Sequence, residues 1–415
     1  MDNVTHSLAG LLLAEVAIFV RRRQGREPSA VARSALRVAS ALSNNLNDAD
    51  SLYARHWAGK LGYLLHHRGH THTLPVGVML GALVYVLSSV ALRLRAKALT
   101  PSERGTLLAL CCVGPLVHIA MDFSNNYGVH PFWPFDARWF YGDTLFIVEP
   151  WLWVFAVPPL CGLLESRVLK AVLVNLLGFV LILAWFHPML HWGTALLLSL
   201  GAAACWRITA GLTAERRLAL AGLGWLLAAL SFFVGTRAAR AEASAASLAQ
   251  ADARGLRERI VDIVVTPTPG NPLCASALVV ATGGENYVVR AASVSLAPWL
   301  LSPASCHVEP TGFTAAMTDS SFASSPEVHW EGEWQRSLRE LRALERENCW
   351  ARAMLRFTRV PFWQTRPQGW LVLGDLRYDR LPGEGFAEVL TRQDPEDCPQ
   401  GVPPWQPPRE DLLVP

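Results

Sequence analysis

The hydrophobic positions of this chain fall in long blocks rather than in alternation. "LPVGVMLGALVYVLSSVAL" (74–92) is nineteen residues without a charge, close to the ~20 apolar residues that a helix needs to cross a bilayer. Similar runs occupy roughly 5–20, 105–122, 145–164, 171–186, 190–206 and 218–236, and a weaker one, about 30–46, carries Arg33 and Arg37 near its start. The pattern predicts about eight transmembrane helices. The first run lacks a basic leader, holds His6 and Glu15, and is followed by "RRRQGR" rather than a small-residue cleavage site. It therefore reads as a retained helix, not a signal peptide.

From about Ala238 the pattern changes. Charges return, Pro and Gly rise, and β-favouring stretches appear: "RIVDIVVTP", "SALVVATG", "ENYVVRAASV" and "GWLVLGDLRYD". Residues 333–353, "EWQRSLRELRALERENCWARA", read as an amphipathic helix. The expected organisation is a transmembrane domain over 1–237 and a soluble mixed α/β domain over 238–415. The fold class is thus a polytopic α-helical membrane bundle with a C-terminal extracytoplasmic α+β domain.

Composition supports the membrane reading and the loops orient it. The chain is 51% hydrophobic and 17% charged, against about 25% charged in an ordinary soluble domain. A net charge of +3 is too small and too evenly spread to argue for nucleic acid. The connections 21–37, 93–104, 165–170 and 207–217 together hold fifteen Lys/Arg, whereas 47–73, 124–144 and 187–190 hold four: Arg55, Lys60, Arg68 and Arg138. The excess of Lys/Arg marks the first set as cytoplasmic. Eight helices then leave both termini outside, with the chain in a bacterial inner membrane. Cys274, Cys306, Cys349 and Cys398 would lie in an oxidising compartment, where one or two disulfides are expected with the pairing open. Cys111, Cys112, Cys161 and Cys205 fall in apolar helices and read as small hydrophobes.

Four segments deliver histidine and aspartate to one membrane face. Helix one begins "MDNVTH", with Asp2 and His6 a turn apart; helix two runs into "NNLNDAD", with Asp48 and Asp50. The loop before the third run is "HHRGHTHT", which includes His67, Arg68 and His72. The next helix ends "HIAMDFSNNYGVH", placing His118 and Asp122 at i, i+4 on one face, followed by His130. Histidine nitrogens and carboxylates are the usual ligands of catalytic zinc, and paired metals can clamp a phosphoester. Ionisable groups in a membrane cost about 2.5–3.5 kcal/mol each on insertion scales, which makes them functional candidates. Taken alone, each motif also has an ordinary explanation: a solvated loop for "HHRGHTHT", or a structural pair for His118 and Asp122.

Together the motifs resemble the YdjM-type family of membrane-bound, predicted metal-dependent hydrolases. That family's pattern is an N-terminal Thr-His, a Pro-Asp-x-Asp, a His-Arg-Gly-x-Thr-His and a His-x3-Asp followed by Tyr-Gly. The resemblance covers roughly residues 1–135 and implies a site of His6, Asp48, Asp50, His67, His72, His118 and Asp122. The sequence departs from the pattern at Asn47, where proline is usual, and at Thr73, where serine is usual; neither removes a ligand. "YGDTLFIVEPWLW", "VVTPTPGNPL" and "LGDLRYD" are similar to a longer subgroup with a C-terminal extension. The His/Asp set is more distantly similar to that of zinc-dependent phospholipase C, which implies phosphoester hydrolysis.

Among secondary candidates, Glu149 is either a ligand or base, or a helix cap. Asp143 reads as a cap at the positive end of a helix dipole. Arg68 would suit a substrate phosphate or snorkel to the interface. Asp375, Arg377 and Tyr378 in "GDLRYD" read as a structural salt bridge. "HPFWPF" and "PWLW" fit an aromatic belt.

The sequence thus predicts a metal-dependent hydrolase acting at the extracytoplasmic face, on a phosphoester of a lipid or lipid-linked substrate. His6, Asp50, His72, His118 and Asp122 are the first-choice metal ligands. Asp48, His67, Arg68 and Glu149 serve beside them, and the cofactor is one to three divalent ions, zinc before manganese. The competing expectation is a non-enzymatic membrane protein, either a metal-ion transporter or a metal-stabilised envelope assembly factor. A transporter places ionisable groups near the midplane on broken or repeated helices, whereas here they lie at the outer ends of the helices, Glu15 being the one clear exception, and no inverted repeat is evident.

Overall fold

A computed structural model describes residues 1–306, 317–378 and 385–414. These residues form two compact units. The first comprises Met1–Ala49, His70–Trp133 and Leu145–Ser231; the second comprises Asp50–Gly69, Pro134–Thr144 and Phe232–Pro415.

In the first unit every apolar run is a helix: α1 (Asn3–Arg23), α2 (Ala30–Ser43), then, beyond α3 (Gly59–His66) of the second unit, α4 (Leu74–Leu94), α5 (Pro101–Phe123), α6 (Pro150–Leu163), α7 (Arg167–Phe186) and α8 (Trp192–Ala210). Helix α9 (Ala214–Ala253) begins in the first unit and ends in the second. Among the described residues six helices, α1, α4, α5, α7, α8 and α9, are long and apolar enough to cross a membrane. Helices α2 and α6 have 14 residues each, or about 21 Å at 1.5 Å per residue, against a hydrocarbon core of ~30 Å. Caps account for their limits. Ser29 starts α2 by accepting the Ala32 amide, and Thr73 starts α4 by accepting the Val76 amide, a role in which serine and threonine interchange.

Small residues let these helices approach closely, since packing rather than hydrophobicity drives association in lipid. A Cβ on Gly81 of α4 would sit 2.2 Å from the Cys111 carbonyl of α5, and one on Gly114 of α5 would sit 2.2 Å from Ser43 Oγ of α2. Pro115 has no N–H for that Cys111 carbonyl, so α4 packs where the α5 ladder is already open. The lone charge inside a run is also answered: Glu15 of α1 accepts from Arg37 Nε of α2 at 2.5 Å, with the carboxylate 3% exposed. Arg33 pairs with Glu165 at 2.9 Å beside it.

The second unit holds two antiparallel sheets. One is β1 (Arg259–Thr268), β2 (Asn271–Gly283), β3 (Asn286–Ser295) and β4 (Val328–Ser337) in that order. The other is β5 (Pro361–Arg366), β6 (Trp370–Asp375) and β7 (Glu388–Arg392). Ala239 and Ala243 at the end of α9 pack into the first sheet's core with Ile263, Val279 and Trp330. The helix expected over 333–353 begins later: β4 continues to Ser337, then α10 (Leu338–Glu347) and α11 (Cys349–Met354) follow. The reason is alternation, with Val328, Trp330 and Trp334 buried on one face of β4. The stretch 369–379 supplies β6, and its last residue lies outside the described ones. A short helix, α12 (Glu410–Leu413), ends the unit. The disulfides are Cys274–Cys306 and Cys349–Cys398; closing loops of 32 and 49 residues, each removes about 4 kcal/mol of unfolded-chain entropy.

Two stretches that the sequence placed before residue 237, 50–69 and 134–144, fall in this second unit. Their polar groups have partners there. Trp405 Nε1 donates to the Leu65 carbonyl at 2.7 Å, Lys60 Nζ to Gly385 at 3.0 Å and Trp139 Nε1 to Arg356 at 2.7 Å. Asp143 is not a helix cap. It receives both Nη atoms of buried Arg359 at 2.8 and 2.9 Å, and Arg240 at 2.8 Å. Arg359 also reaches Asp262 at 2.8 Å, and Arg377 pairs with Asp375 at 2.7 Å with neither side chain exposed, the structural bridge expected of "GDLRYD".

Removing Glu15 alone leaves the partly buried Arg37 with only the more distant Glu165, a loss of up to about 3 kcal/mol. Glu15→Leu is therefore expected to lower thermal stability in detergent sharply, and Glu15→Leu/Arg37→Leu to restore most of it. In the second unit, burial opposes the charge of Asp262, but Arg359, Arg409 and Arg240 hold its carboxyl below the ordinary 3.8. A depressed carboxyl contributes stability above the unfolded value and loses it as pH falls through the folded one. Near-ultraviolet circular dichroism is accordingly expected to show this unit intact at pH 5 and weakening below about pH 3.8.

Candidate metal centre

The first unit brings Asp48, His72, His118 and Asp122 together, each offering a ligand atom within 4.8 Å of the others. Their elements are distinct. Asp48 lies on the 3-10 turn Leu46–Leu52 directly after α2, His72 on the 3-10 turn His70–His72 before α4, and His118 and Asp122 one turn apart on α5. His72, His118 and Asp122 are fully buried.

The donor geometry is that of a cation cradle. His72 Nε2 and His118 Nε2 face each other at 3.0 Å. Asp122 Oδ2 lies 3.0 Å from His72 Nε2 and 3.2 Å from His118 Nε2. Asp48 Oδ1 lies 3.5 and 3.6 Å from the same two nitrogens. A tetrahedral ion with bonds of about 2.0–2.1 Å has ligand–ligand edges of about 3.3 Å, and these five edges scatter around that value. His118 Nδ1 donates to the Asn44 carbonyl at 2.6 Å, which leaves the Nε2 lone pair of the neutral ring aimed inward. Thr71 Oγ1 meets His72 Nδ1 at 3.0 Å and holds the second ring in place. Two imidazole nitrogens facing across 3.0 Å beside two carboxylates fit a divalent metal.

His6 joins from the side. Its Nε2 is 3.2 Å from Asp122 Oδ1, and its ring stacks on His118 with centroids 3.7 Å apart. Asp122 thus spans His6 with one oxygen and the cradle with the other. Asp2 is the N-cap of α1, accepting the Val4 and Thr5 amides. Trp153 Nε1 of α6 donates to Thr5 Oγ1 at 2.8 Å, fixing the turn before His6. Glu149 is buried and caps α6, accepting the Trp151 amide at 3.2 Å; the cap expected at Asp143 is here. His130 is buried as well.

Asp50, His67 and Arg68 belong to the second unit. Asp50 is fully buried; its Oδ1 accepts His67 Nδ1 at 3.0 Å and its Oδ2 accepts the Arg68 amide at 2.9 Å. The carboxylate therefore locks the loop, in which Arg68 adopts φ 59° and is 2% exposed. Asp48 and Asp50 share one 3-10 turn, yet only Asp48 contributes to the four-residue cradle.

Three residues that the motif reading passed over are part of the construction. Asn44 orients His118. Asn47 Nδ2 donates to the Thr71 carbonyl at 2.7 Å, so the residue standing in place of the family's proline ties the Asp48 turn to the His72 loop. Thr71 positions His72. Only Asn47 left a trace in the sequence, as a departure from the pattern.

Residues 1–193 match the family described as YdjM inner membrane protein. The N-terminal region is of the YdjM family. The match covers 193 of 415 residues and includes all of α1 to α7 with the four cradle residues. No curated protein and no solved structure matches the chain. With its six long apolar helices among the described residues and a region similar to an inner membrane protein family, this chain is a multi-pass membrane protein.

Substituting the cradle is expected to remove bound metal. Wild-type protein purified without chelator should carry about one equivalent of a divalent ion by plasma mass spectrometry, and a folded Asp48→Asn/His118→Ala/Asp122→Asn variant essentially none. Asn47→Ala, which loosens a support rather than a ligand, should weaken retention roughly 10–100-fold in chelator competition.

Proposed function

We propose that this YdjM-type protein is a membrane-embedded, metal-dependent hydrolase that cleaves a phosphoester of a lipid or lipid-linked substrate at the extracytoplasmic face. The observation that carries the reading is the convergence of two imidazole nitrogens and two carboxylate oxygens from three separate segments of a membrane bundle. Lipid penalises such groups, and structural packing gives no reason to aim their lone pairs at one point. A divalent ion in this cradle, zinc by its N/O donor set, would polarise a phosphoester oxygen and bring the pKa of water towards about 7.

The chain's own residues do the rest. His118 presents a fixed tautomer, His72 faces it, Asp48 and Asp122 supply negative charge, and His6 orients Asp122. In this reading Glu149 supports the site while capping α6. Two observations support the sidedness: the basic loops oppose the motif-bearing ends, and two disulfides close in the C-terminal unit, as suits an oxidising compartment. The transporter alternative loses its main support, because Glu15 is neutralised by Arg37.

The test is turnover by full-length protein in vesicles of defined phospholipids, with released headgroup or phosphate as readout. Activity should require metal and vanish in His72→Ala. Tightly bound metal with no turnover on any lipid phosphoester would overturn the hydrolase reading in favour of a metal-stabilised assembly role.

A further inference from the structure

Away from the His/Asp cradle, α2 and α4 leave a groove between them. Its volume is about 530 Å³, within the range of ligand sites of about 300–1,000 Å³. The walls are apolar: Val31, Val38 and Leu42 from α2 face Val84 and Leu87 from α4, with Ser88 between. From Val31 to Leu42 the groove runs about 16 Å along α2, close to half of a ~30 Å hydrocarbon core. Val38, Leu42 and Leu87 are each more than half exposed, so the groove opens sideways, where a bilayer would lie.

One end of this apolar slot is cationic. Arg95 and Lys97 line it, and neither has an ion-pair partner among the described residues. They are set there by the cap of α4. The Lys97 amide bonds to the Leu92 carbonyl and the Ala96 amide to the Arg93 carbonyl, both at 2.9 Å, the paired bonds of a Schellman turn. That turn requires a left-handed residue; Ala96 supplies it at φ 51°, where glycine is usual. The turn brings Lys97 back beside Arg95 instead of letting it continue away from the helix end. The end concerned lies in the basic loop 93–104, which the charge pattern assigns to the cytoplasmic side.

We infer that the α2–α4 groove is a binding site for an anionic glycerophospholipid of the cytoplasmic leaflet, with one acyl chain in the slot and the phosphate on Arg95 and Lys97. Charge complementarity selects the occupant. A zwitterionic lipid fills the slot equally but gains less at the cations, and a soluble phosphate gains nothing from the apolar walls. The site is separate from the metal cradle and does not depend on the hydrolase reading.

The test is native mass spectrometry of full-length protein released from nanodiscs containing equal phosphatidylglycerol and phosphatidylcholine. Wild type is expected to retain one phosphatidylglycerol with at least a ten-fold preference. Arg95→Glu/Lys97→Glu, on exposed positions, should bring that preference to near unity, and Ser88→Trp, which fills the slot, should remove retention of both lipids. Glycerol 1-phosphate in excess should displace nothing. Equal retention of the two lipids by wild type, a preference that survives the charge reversal, unchanged retention in folded Ser88→Trp, or displacement by glycerol 1-phosphate would each overturn the proposal.

Discussion

The carboxylate of Asp122 is the point on which the first unit turns. One of its oxygens meets His72 and His118 and the other meets His6, so the loop before α4, α5 and α1 all converge on a single buried acid. In lipid a carboxylate left alone is costly and has no water to relieve it. The histidines and the acid therefore hold one another in place, and the fold must supply helices close enough for them to meet. Gly81 and Gly114 meet that need by removing the side chains that would separate α4, α5 and α2.

The short second helix belongs to the same construction. Six more residues would bring α2 to about 30 Å and carry Asp48 well past the level of His72 and His118. Instead α2 ends at Ser43, and the next residue, Asn44, spends its carbonyl on His118. Asn47 then ties the following turn to Thr71, and Asp48 arrives beside the two histidines. Backbone carbonyls and amide side chains, rather than further charges, fix the geometry, which keeps the electrostatic cost of the site to its four ligands and His6.

The positions of helices were legible in the residues because lipid demands uninterrupted apolar runs, and all eight runs became helices. Their lengths were less so: the run at 30–46 hides a stop at Ser43, set by polar contacts of Asn44 and Asn45 that no hydropathy pattern records. In the C-terminal unit, "RIVDIVVTP" and "SALVVATG" announce strands through β-branched density, whereas "EWQRS" (333–337) reads as the start of a helix because its charges obscure the alternation that β4 continues from Val328 and Trp330 to Trp334. At the site, His118 and Asp122 were a pair by spacing alone. Asp48 and Asp50 were indistinguishable in "NDAD", and only folding placed Asp48 in the four-residue cradle, while Asp50 accepts from His67 and from the Arg68 amide.

By itself, the sequence determined that this is a membrane protein, where its helices run, and which His and Asp residues are out of place in lipid. These properties are local, because the solvent acts on each segment separately. Tertiary structure decided which of the candidates lie close enough to hold one ion, which serve as caps, and how four cysteines pair. Those outcomes depend on distances of 3–4 Å between segments tens of residues apart, and such distances are set only when all the segments pack at once.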